Sequence, residues 1–199
     1  MEKKEIQEQR MRGYFIEATK DLLKGEGLKS VSVRSVAERA GYSFGTIYNY
    51  FRDINELVFL CVQDFQNECQ QQVEAKCKRT PSGIETIRKT VLAYVEYFVE
   101  YPGIFELFFL ERMSGIGNKQ PTSALIYSFL DRLCEKSWAS LEGQGTYSNE
   151  RIELAKNQLR FVTAGMLVYY NNRRIPESYP EFMQLLEAQV GLVFRALDE

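Results

Sequence analysis

Apolar residues recur along this chain at the spacing of α-helices over nearly its whole length. Over residues 7–24 they return every three or four positions, at Met11, Phe15, Ala18 and Leu22. This spacing matches one face of an α-helix, and Gly25 and Gly27 then end the pattern. No run of alternating apolar and polar residues bounded by turn signals indicates a strand. The pattern therefore predicts an all-α fold.

Glycine, proline and polar residues separate the other predicted helices. These helices cover about 32–40, a short stretch after Ser43, 53–78, 84–101, 104–113, 123–141, 150–173 and 181–197. Thr80-Pro81-Ser82-Gly83 is the clearest break, and residues 114–122 are predicted to form a polar loop. The expected organisation is an N-terminal three-helix domain, residues 1–53, followed by a larger helical domain, residues 54–199.

The composition excludes several classes of function. Histidine is absent from the 199 residues, which removes Ser-His-Asp and Cys-His catalysis and most transition-metal ligand sets. The net charge of −2 argues against an indiscriminate polycation. The apolar runs are too short for a membrane span, and the first twelve residues are nearly all charged or amide-bearing. We therefore expect a cytoplasmic protein that needs no metal, cofactor or membrane and is not an enzyme.

Four cysteines raise the question of a disulfide framework or a thiol sensor. Cys61, Cys69 and Cys77 follow one another in steps of eight along one predicted helix. Each step spans roughly 12 Å, beyond the ~7 Å reach of a disulfide. The chain also lacks a Cys-x-x-Cys pair, so small buried side chains are the simpler interpretation of these residues and of Cys134.

The most informative stretch is residues 27–57, where two short predicted helices are joined by Ala40-Gly41-Tyr42-Ser43. A glycine turn between two short helices is typical of a helix-turn-helix motif, whose second helix enters the major groove of DNA. Ser32 and Ser43 precede the two helices and are suitable N-caps. The motif therefore predicts DNA binding.

Several side chains of this motif have the chemistry to contact DNA. The hydroxyl groups of Tyr48 and Tyr50 suit phosphates, Thr46 and Asn49 can reach base edges, and Arg34 suits phosphate or guanine. Gly45 either lets the backbone approach DNA or allows tight helix packing. Phe44 either contacts a thymine methyl group or is simply an exposed aromatic residue at a cap. The predicted DNA-contacting residues are Ser32, Arg34, Ser43, Phe44, Gly45, Thr46, Tyr48, Asn49, Tyr50 and Arg52.

This stretch resembles the DNA-binding domain of the TetR (tetracycline-repressor-like) family of transcriptional regulators. The resemblance is carried by Ala18, Leu22, Gly27, Ser32-Val33-Arg34, Val36-Ala37, Ala40-Gly41, Ser43 to Phe51 and Leu57. It implies a homodimer that binds palindromic double-stranded DNA and responds to a small-molecule ligand. The family usually carries a lysine at the start of the fourth helix, where this chain has Ile54. Arg52 is the candidate substitute for that phosphate contact.

The predicted recognition helix also suggests a sequence preference. Residues 43–50 contain no lysine, arginine or glutamine. Asparagine prefers adenine, and an apolar group prefers the thymine methyl. We therefore expect half-sites with important A·T pairs, and any guanine to be read by Arg34.

Aromatic residues are dense in the middle of the chain, on helices that enclose the ligand pocket in the resembling family. Tyrosines suit such a pocket because they combine apolar area with a polar tip. The alternative is that each one is an ordinary core residue. The candidate pocket residues are Tyr94, Tyr97, Phe98, Tyr101, Phe105, Phe109, Tyr127, Trp138, Phe161 and Tyr169.

The last two predicted helices each carry a broad apolar stripe at helical period. In the resembling family, two such helices from each subunit form a four-helix interface. The candidate interface residues are Leu159, Val162, Met166, Phe182, Leu186, Gln189, Val190, Val193 and Phe194.

Together these patterns predict a DNA-binding transcriptional regulator, a repressor released from its operator by a small, largely apolar ligand. One rival is a similar DNA-binding protein whose C-terminal domain docks a protein partner, which a filled core would favour. The other is an enzyme with a vestigial helix-turn-helix. The absence of histidine and the intact stretch from Ser43 to Phe51 weigh against that rival.

Overall fold

A computed structural model of the chain describes residues 3–78, 80–111 and 120–198. Within these ranges the chain forms eleven α-helices and no strand, which confirms the all-α prediction. The helices are α1 (Lys3–Glu26), α2 (Val33–Ala40), α3 (Phe44–Ile47), α4 (Ile54–Cys77), α5 (Ile84–Glu100), α6 (Pro102–Phe105), α7 (Gln120–Tyr127), α8 (Phe129–Leu133), α9 (Glu135–Gln144), α10 (Asn149–Arg173) and α11 (Tyr179–Asp198). A 3₁₀ turn covers Leu28–Ser30, and a π-helical turn covers Glu106–Leu110.

Two stretches differ from the predicted helices. The single helix expected over 123–141 is divided into α7, α8 and α9, because the backbone at Ser128 and Cys134 has ψ near 0°. The helix expected over 104–113 is the short α6 followed by the π-helical turn. The loop expected over 114–122 lies outside the described residues up to 119, and its last three residues belong to α7.

Backbone contacts divide the chain into two compact units. Unit 1 consists of Met1–Asn67 and Tyr101–Ile126, and unit 2 consists of Glu68–Glu100 and Tyr127–Glu199. The three divisions fall after residues 67, 100 and 126 and none falls after residue 53, because unit 1 also contains the start of α4 and the segment around α6. A functional boundary at residue 53 stays a prediction.

Unit 1 has a hydrophobic core shared by α1, α2, α3 and the start of α4. Its buried members are Phe15, Ala18, Leu22, Val36, Ala37, Ile47, Phe51 and Leu57. The N-terminus of α6 packs against the end of α1. A Cβ atom at Gly103 would lie 2.2 Å from the carbonyl oxygen of Leu23 and 2.7 Å from that of Lys24, so only glycine permits this approach.

Unit 2 is built around α5, on which α10 and α11 both pack. The two long helices also pack on each other, and the rings of Tyr170 and Phe182 stack with centroids 4.2 Å apart. The short α8 and α9 cover another part of α5. In the described part of the chain, no helix has the length and apolar character needed to cross a bilayer.

Candidate DNA-binding and ligand-binding sites

Local hydrogen bonds shape the turn between α2 and α3. The hydroxyl of Ser32 accepts a hydrogen bond from the N–H of Ser35 at 3.1 Å, and the Ser35 hydroxyl accepts one from the N–H of Ser32 at 2.9 Å. This reciprocal cap confirms Ser32 as the N-cap of α2. At the other end Gly41 is left-handed with φ of 78°, a conformation that glycine adopts without strain. The chain can therefore leave α2 abruptly and begin α3.

The recognition segment, residues 43–50, consists of α3 and the turns that follow it. The helix proper is only four residues long. It continues into turns in which Asn49 N donates to Thr46 O at 3.2 Å and Phe51 N donates to Ile47 O at 2.9 Å. Ile47 and Phe51 are buried in the unit 1 core, as expected. These two side chains anchor the segment and leave its other face outward.

The predicted DNA-contacting residues lie mainly on this outward side. Eight of the ten are exposed, namely Ser32, Arg34, Ser43, Phe44, Gly45, Tyr48, Asn49 and Arg52. Thr46 and Tyr50 are half-buried. The side chains of Phe44 and Tyr48 are 62% and 58% exposed. Two large aromatic side chains left in water beside polar groups form a surface suited to a partner.

The surroundings of Gly45 and the hydrogen bonds of Ser43 and Thr46 test the roles expected for these residues. No described atom lies within 4 Å of a Cβ placed on Gly45, so close helix packing does not account for this glycine. Ser43 occupies the N-cap position of α3, but its side chain does not cap a backbone N–H. Its hydroxyl is instead 2.8 Å from the hydroxyl of Thr46. The capping role expected for the Ser43 side chain is therefore wrong.

The first turn of α4, Ile54 to Leu57, contains no lysine or arginine. Ile54 is half-buried and packs against the unit 1 core. Asp53 accepts hydrogen bonds from the N–H groups of Asn55 and Glu56, at 2.9 and 3.0 Å. These backbone donors are therefore already satisfied by a carboxylate. The Arg52 side chain is 82% exposed, with Nε 3.6 Å from Asp53 Oδ2, and at such exposure the ion pair holds it only weakly.

Arg12 is a residue of this region that the sequence pattern did not single out. Its guanidinium group donates to the carbonyl oxygen of Tyr50 and lies 3.3 Å from Oε1 of Glu56. The Tyr50 contact joins residues 38 positions apart in the chain. The sequence near Arg12 gives only one indication of this role, namely that a charged residue lies one turn before the core residue Phe15.

Some of the candidate pocket residues form aromatic clusters inside the two units. In unit 2, Tyr94 and Tyr97 each contact Phe98, with ring centroids 4.9 and 5.4 Å apart, and all three are buried. Burial raises the pKa of the Tyr94 hydroxyl, so it stays neutral. Trp138, also buried, stacks on Phe194 at 6.3 Å.

In unit 1, two further candidate pocket residues stack on each other. The rings of Phe105 and Phe109 lie 5.4 Å apart; the first is buried and the second half-buried. Tyr101 is half-buried as well.

Three other candidates do not line an interior. Tyr127, Phe161 and Tyr169 are 59%, 69% and 61% exposed. The reason for the last two is that α10 carries apolar residues on two faces. One face packs inward and contains Ile152, Ala155, Leu159, Thr163, Leu167 and Tyr170. Phe161 and Tyr169 lie on the other face, so the assignment of these three residues to an internal pocket is corrected.

The candidate dimer residues also fall into two groups, one buried in the core of unit 2 and one partly exposed. Six of them are buried in the core of unit 2 with at most 6% of their surface exposed, so their assignment to the interface is corrected: Leu159, Phe182, Leu186, Val190, Val193 and Phe194. Their stripe is the face that α10 and α11 turn towards their own core. The remaining three, Val162, Met166 and Gln189, are half-buried.

These three residues line a groove on the outer face of α10 and α11. The groove has a volume of about 480 Å³. Its lining consists of Phe161, Val162, Gly165, Met166, Tyr169, Ile175, Pro176, Leu185 and Gln189. Nearly all of these side chains are apolar, which is unusual for a surface that remains in water.

The cysteines are all free thiols. Cys61, Cys69 and Cys134 are buried, and Cys77 is half-buried. Burial raises the pKa of all three buried thiols, that of Cys69 to about 12. Because the thiolate is the reactive form, these three are poorly suited to sensing oxidants. Across the described ranges, no three or more cysteine, aspartate or glutamate side chains cluster as a metal site would require.

Comparison with known proteins supports this geometry. Residues 15–61 match the sequence profile of the bacterial regulatory proteins of the tetR family. That segment includes α2, the glycine turn and the whole recognition segment.

Solved structures with a similar fold cover nearly the whole chain. A TetR family transcription regulator from Marinobacter aquaeolei VT8 is 17% identical, with a TM-score of 0.67 over 97% of this chain and 98% of that one. A TetR transcriptional regulator from Rhodococcus sp. RHA1 is 18% identical, with a TM-score of 0.61 over 94% and 97%. The regulator FadR from Bacillus subtilis, solved in complex with stearoyl-CoA, is 14% identical, with a TM-score of 0.68 over 90% and 96%.

The exposed helix-turn-helix lies within the segment that this chain shares with the bacterial regulatory proteins of the tetR family. Residues 15–61 thus match the tetR family of bacterial regulatory proteins, and the fold of nearly the whole chain is similar to that of solved TetR family regulators.

Proposed function

We propose that this protein is a dimeric repressor that binds a palindromic operator and leaves it when a small, largely apolar ligand binds. The observation that carries the DNA-binding part is the exposed side of the helix-turn-helix. There the core residues Ile47 and Phe51 hold the recognition segment, and Phe44, Tyr48 and Asn49 face solvent. A short helix presented in this way fits the major groove.

The outer face of α10 and α11 supports the dimer. Leu154, Phe161, Tyr169, Leu185 and Leu192 are all more than two-fifths exposed on these helices, and the groove lies among them. A second copy of the chain can cover this face by two-fold symmetry, which makes a helical interface. Two symmetric recognition segments would then read two half-sites of inverted sequence.

The half-site preference follows from the side chains that remain exposed. Asn49 is free to make paired hydrogen bonds to adenine, and Phe44 is free to contact a thymine methyl group. The Thr46 hydroxyl is already bonded to that of Ser43, so it contributes less to base reading than expected. We infer that A·T pairs opposite Asn49 and Phe44 dominate the site.

The ligand class is suggested by the fold neighbours and by the aromatic interior of unit 2. FadR from Bacillus subtilis holds stearoyl-CoA within a similar fold. Unit 2 offers mostly apolar and aromatic buried side chains, including Tyr94, Phe98 and Trp138, which suit an acyl chain better than a charged group. A ligand that prefers the conformation with poor DNA affinity would release the operator.

The first experiment is selection of bound fragments from a random pool of duplex DNA at near-physiological salt. Enrichment of a short palindrome with A·T pairs would support the dimeric repressor. Asn49→Ala is the matched variant, and it should lose the preference at one position of each half-site, at a cost of about 1–3 kcal/mol per base. A correctly folded dimer that enriches no sequence would contradict sequence-specific repression and favour a protein-docking role.

The selected palindrome then serves to test the ligand. Stearoyl-CoA should weaken binding by about 5- to 150-fold, the usual range of allosteric coupling. Coenzyme A alone is the control, because it carries the same charged head without the acyl chain. If coenzyme A weakens DNA binding as much as stearoyl-CoA does, the charged head is responsible and an acyl ligand is contradicted. If stearoyl-CoA does not weaken DNA binding, an acyl ligand is contradicted as well.

A further inference from the structure

Arg12 on α1 contacts both chain segments that flank the end of the recognition segment. One guanidinium nitrogen donates to the carbonyl oxygen of Tyr50, the last residue of that segment. Another lies 3.3 Å from Oε1 of Glu56, in the first turn of α4. The guanidinium carbon is 4.3 Å from the centre of the Phe51 ring. One side chain therefore joins three elements of unit 1.

Glu56 extends this contact into the connecting chain. Its second oxygen, Oε2, accepts a hydrogen bond from the backbone N–H of Arg52 at 2.9 Å. The connection between the recognition segment and α4 is thus held by Arg12 at Tyr50 and by Glu56 at Arg52. Arg12 and Glu56 also form an ion pair with each other, so both ends of the connection, at Tyr50 and at Arg52, are held by the same pair of side chains.

The surroundings make this network stronger than an ordinary surface ion pair. The side chains of Arg12 and Glu56 are each only 32% exposed. A solvent-exposed pair contributes little, but here the same guanidinium also bonds a carbonyl group and stacks on an aromatic ring. Loss of any one partner would leave a partly buried charge or carbonyl with fewer hydrogen bonds.

We propose that Arg12 is a positioning residue for sequence-specific DNA recognition, and this inference rests on the proposed DNA-binding function. It fixes the recognition segment relative to α1 and α4, and it does so without contacting DNA. Base-edge contacts depend on where Asn49 and Phe44 lie, whereas phosphate contacts carry no sequence information. Removal of Arg12 should therefore reduce specific binding more than non-specific binding.

The test compares Arg12→Gln and Glu56→Gln with Arg10→Gln. Arg10 is exposed on the same helix, so its variant removes the same charge from nearly the same place. Each protein is titrated with the selected palindrome and with an unrelated duplex at several salt concentrations, and its Tm is measured. We expect both R12Q and E56Q to lose about tenfold in affinity for the palindrome, as for one hydrogen bond to a charged group. Affinity for the unrelated duplex and the salt slope should stay at wild-type values, and R10Q should keep the wild-type ratio of the two affinities.

Three results would overturn the role of Arg12. If R12Q weakens both duplexes equally and lowers the salt slope by about one, Arg12 is a phosphate contact. If R12Q lowers only the Tm and keeps the ratio of affinities for the two duplexes, Arg12 has a structural role only. If R12Q folds poorly, an unchanged ratio in E56Q leads to the same conclusion. A wild-type protein that prefers no sequence would overturn the proposed function itself, a failure visible before any variant is made.

Discussion

Leu185 and Leu186 are adjacent on α11, yet the first is 43% exposed and the second is fully buried in the core of unit 2. Leu185 lines the outer groove, where we propose that a second chain binds. We expect Leu185→Glu to convert a dimer to a folded monomer, because two like charges would be buried at a symmetric interface. Sedimentation velocity measures the mass, and circular dichroism checks that the helices remain.

Leu186→Glu is the matched control for this dimer prediction. It places the same charge in the core of unit 2 and should unfold the chain instead, by several kcal/mol. A folded L185E protein that remains dimeric would show that the outer face of α10 and α11 is not the interface.

Gly45 lies in the recognition segment with open space around it. Gly45→Ala should leave the Tm unchanged or raise it, because alanine favours a helix by up to about 1 kcal/mol over glycine. The added methyl group should nevertheless weaken DNA binding if the backbone here approaches the groove. Gly143→Ala, in α9, has similarly open surroundings and should not change DNA affinity. Equal DNA affinity of G45A and wild type, by fluorescence anisotropy, would exclude close approach at Gly45.

Ile54 occupies the position at which the resembling family usually carries a lysine. We expect Ile54→Lys to steepen the salt dependence of DNA binding by about one unit, since it adds one phosphate contact. The Tm should fall slightly because Ile54 packs on the core. Asn55→Lys adds the same charge one residue away, and a similar steepening in N55K would show that position 54 has no special access to phosphate.

The buried thiol of Cys69 should make stability depend on alkaline pH. Its pKa is raised from 9.0 to about 12 by burial, so above pH 9 the unfolded chain ionises this thiol while the folded chain does not. Stability is therefore lost as pH rises. Between pH 8 and 10 the free energy of unfolding of wild type should fall by about 1.4 kcal/mol relative to Cys69→Ala.

Urea unfolding at several pH values measures this difference for Cys69. Cys69→Ser should give the same pH dependence as Cys69→Ala, since neither side chain titrates in this range. A difference between wild type and C69A that does not change with pH would mean that the folded thiol ionises normally.

The helix-turn-helix could be predicted because its determinants are local. Ser32 caps α2 through a residue three positions later, and Gly41 ends it through its own backbone conformation. The outward direction of Phe44, Tyr48 and Asn49 then follows from helical period once Ile47 and Phe51 are placed in the core. The bond between the Ser43 and Thr46 hydroxyls could not be foreseen, because it depends on the rotamers of two exposed side chains.

The faces of α10 and α11 could not be assigned from the pattern alone. Both helices bury one apolar face in their own unit and expose a second, so Leu159 and Phe161 look equally suitable for an interface. Hydrophobic period identifies an apolar face but does not identify what covers it. The contact of Arg12 with Glu56 was equally hidden, because the two residues are 44 positions apart.

The composition of unit 1 has a consequence for how the protein is made. A nascent chain that has emerged to residue 61 already contains the whole segment that matches the family. It still lacks Tyr101–Ile126, which belongs to the same compact unit and places Gly103 against the end of α1. Because domains fold as units during synthesis, unit 1 can reach its final packing only after the chain has emerged well beyond residue 103.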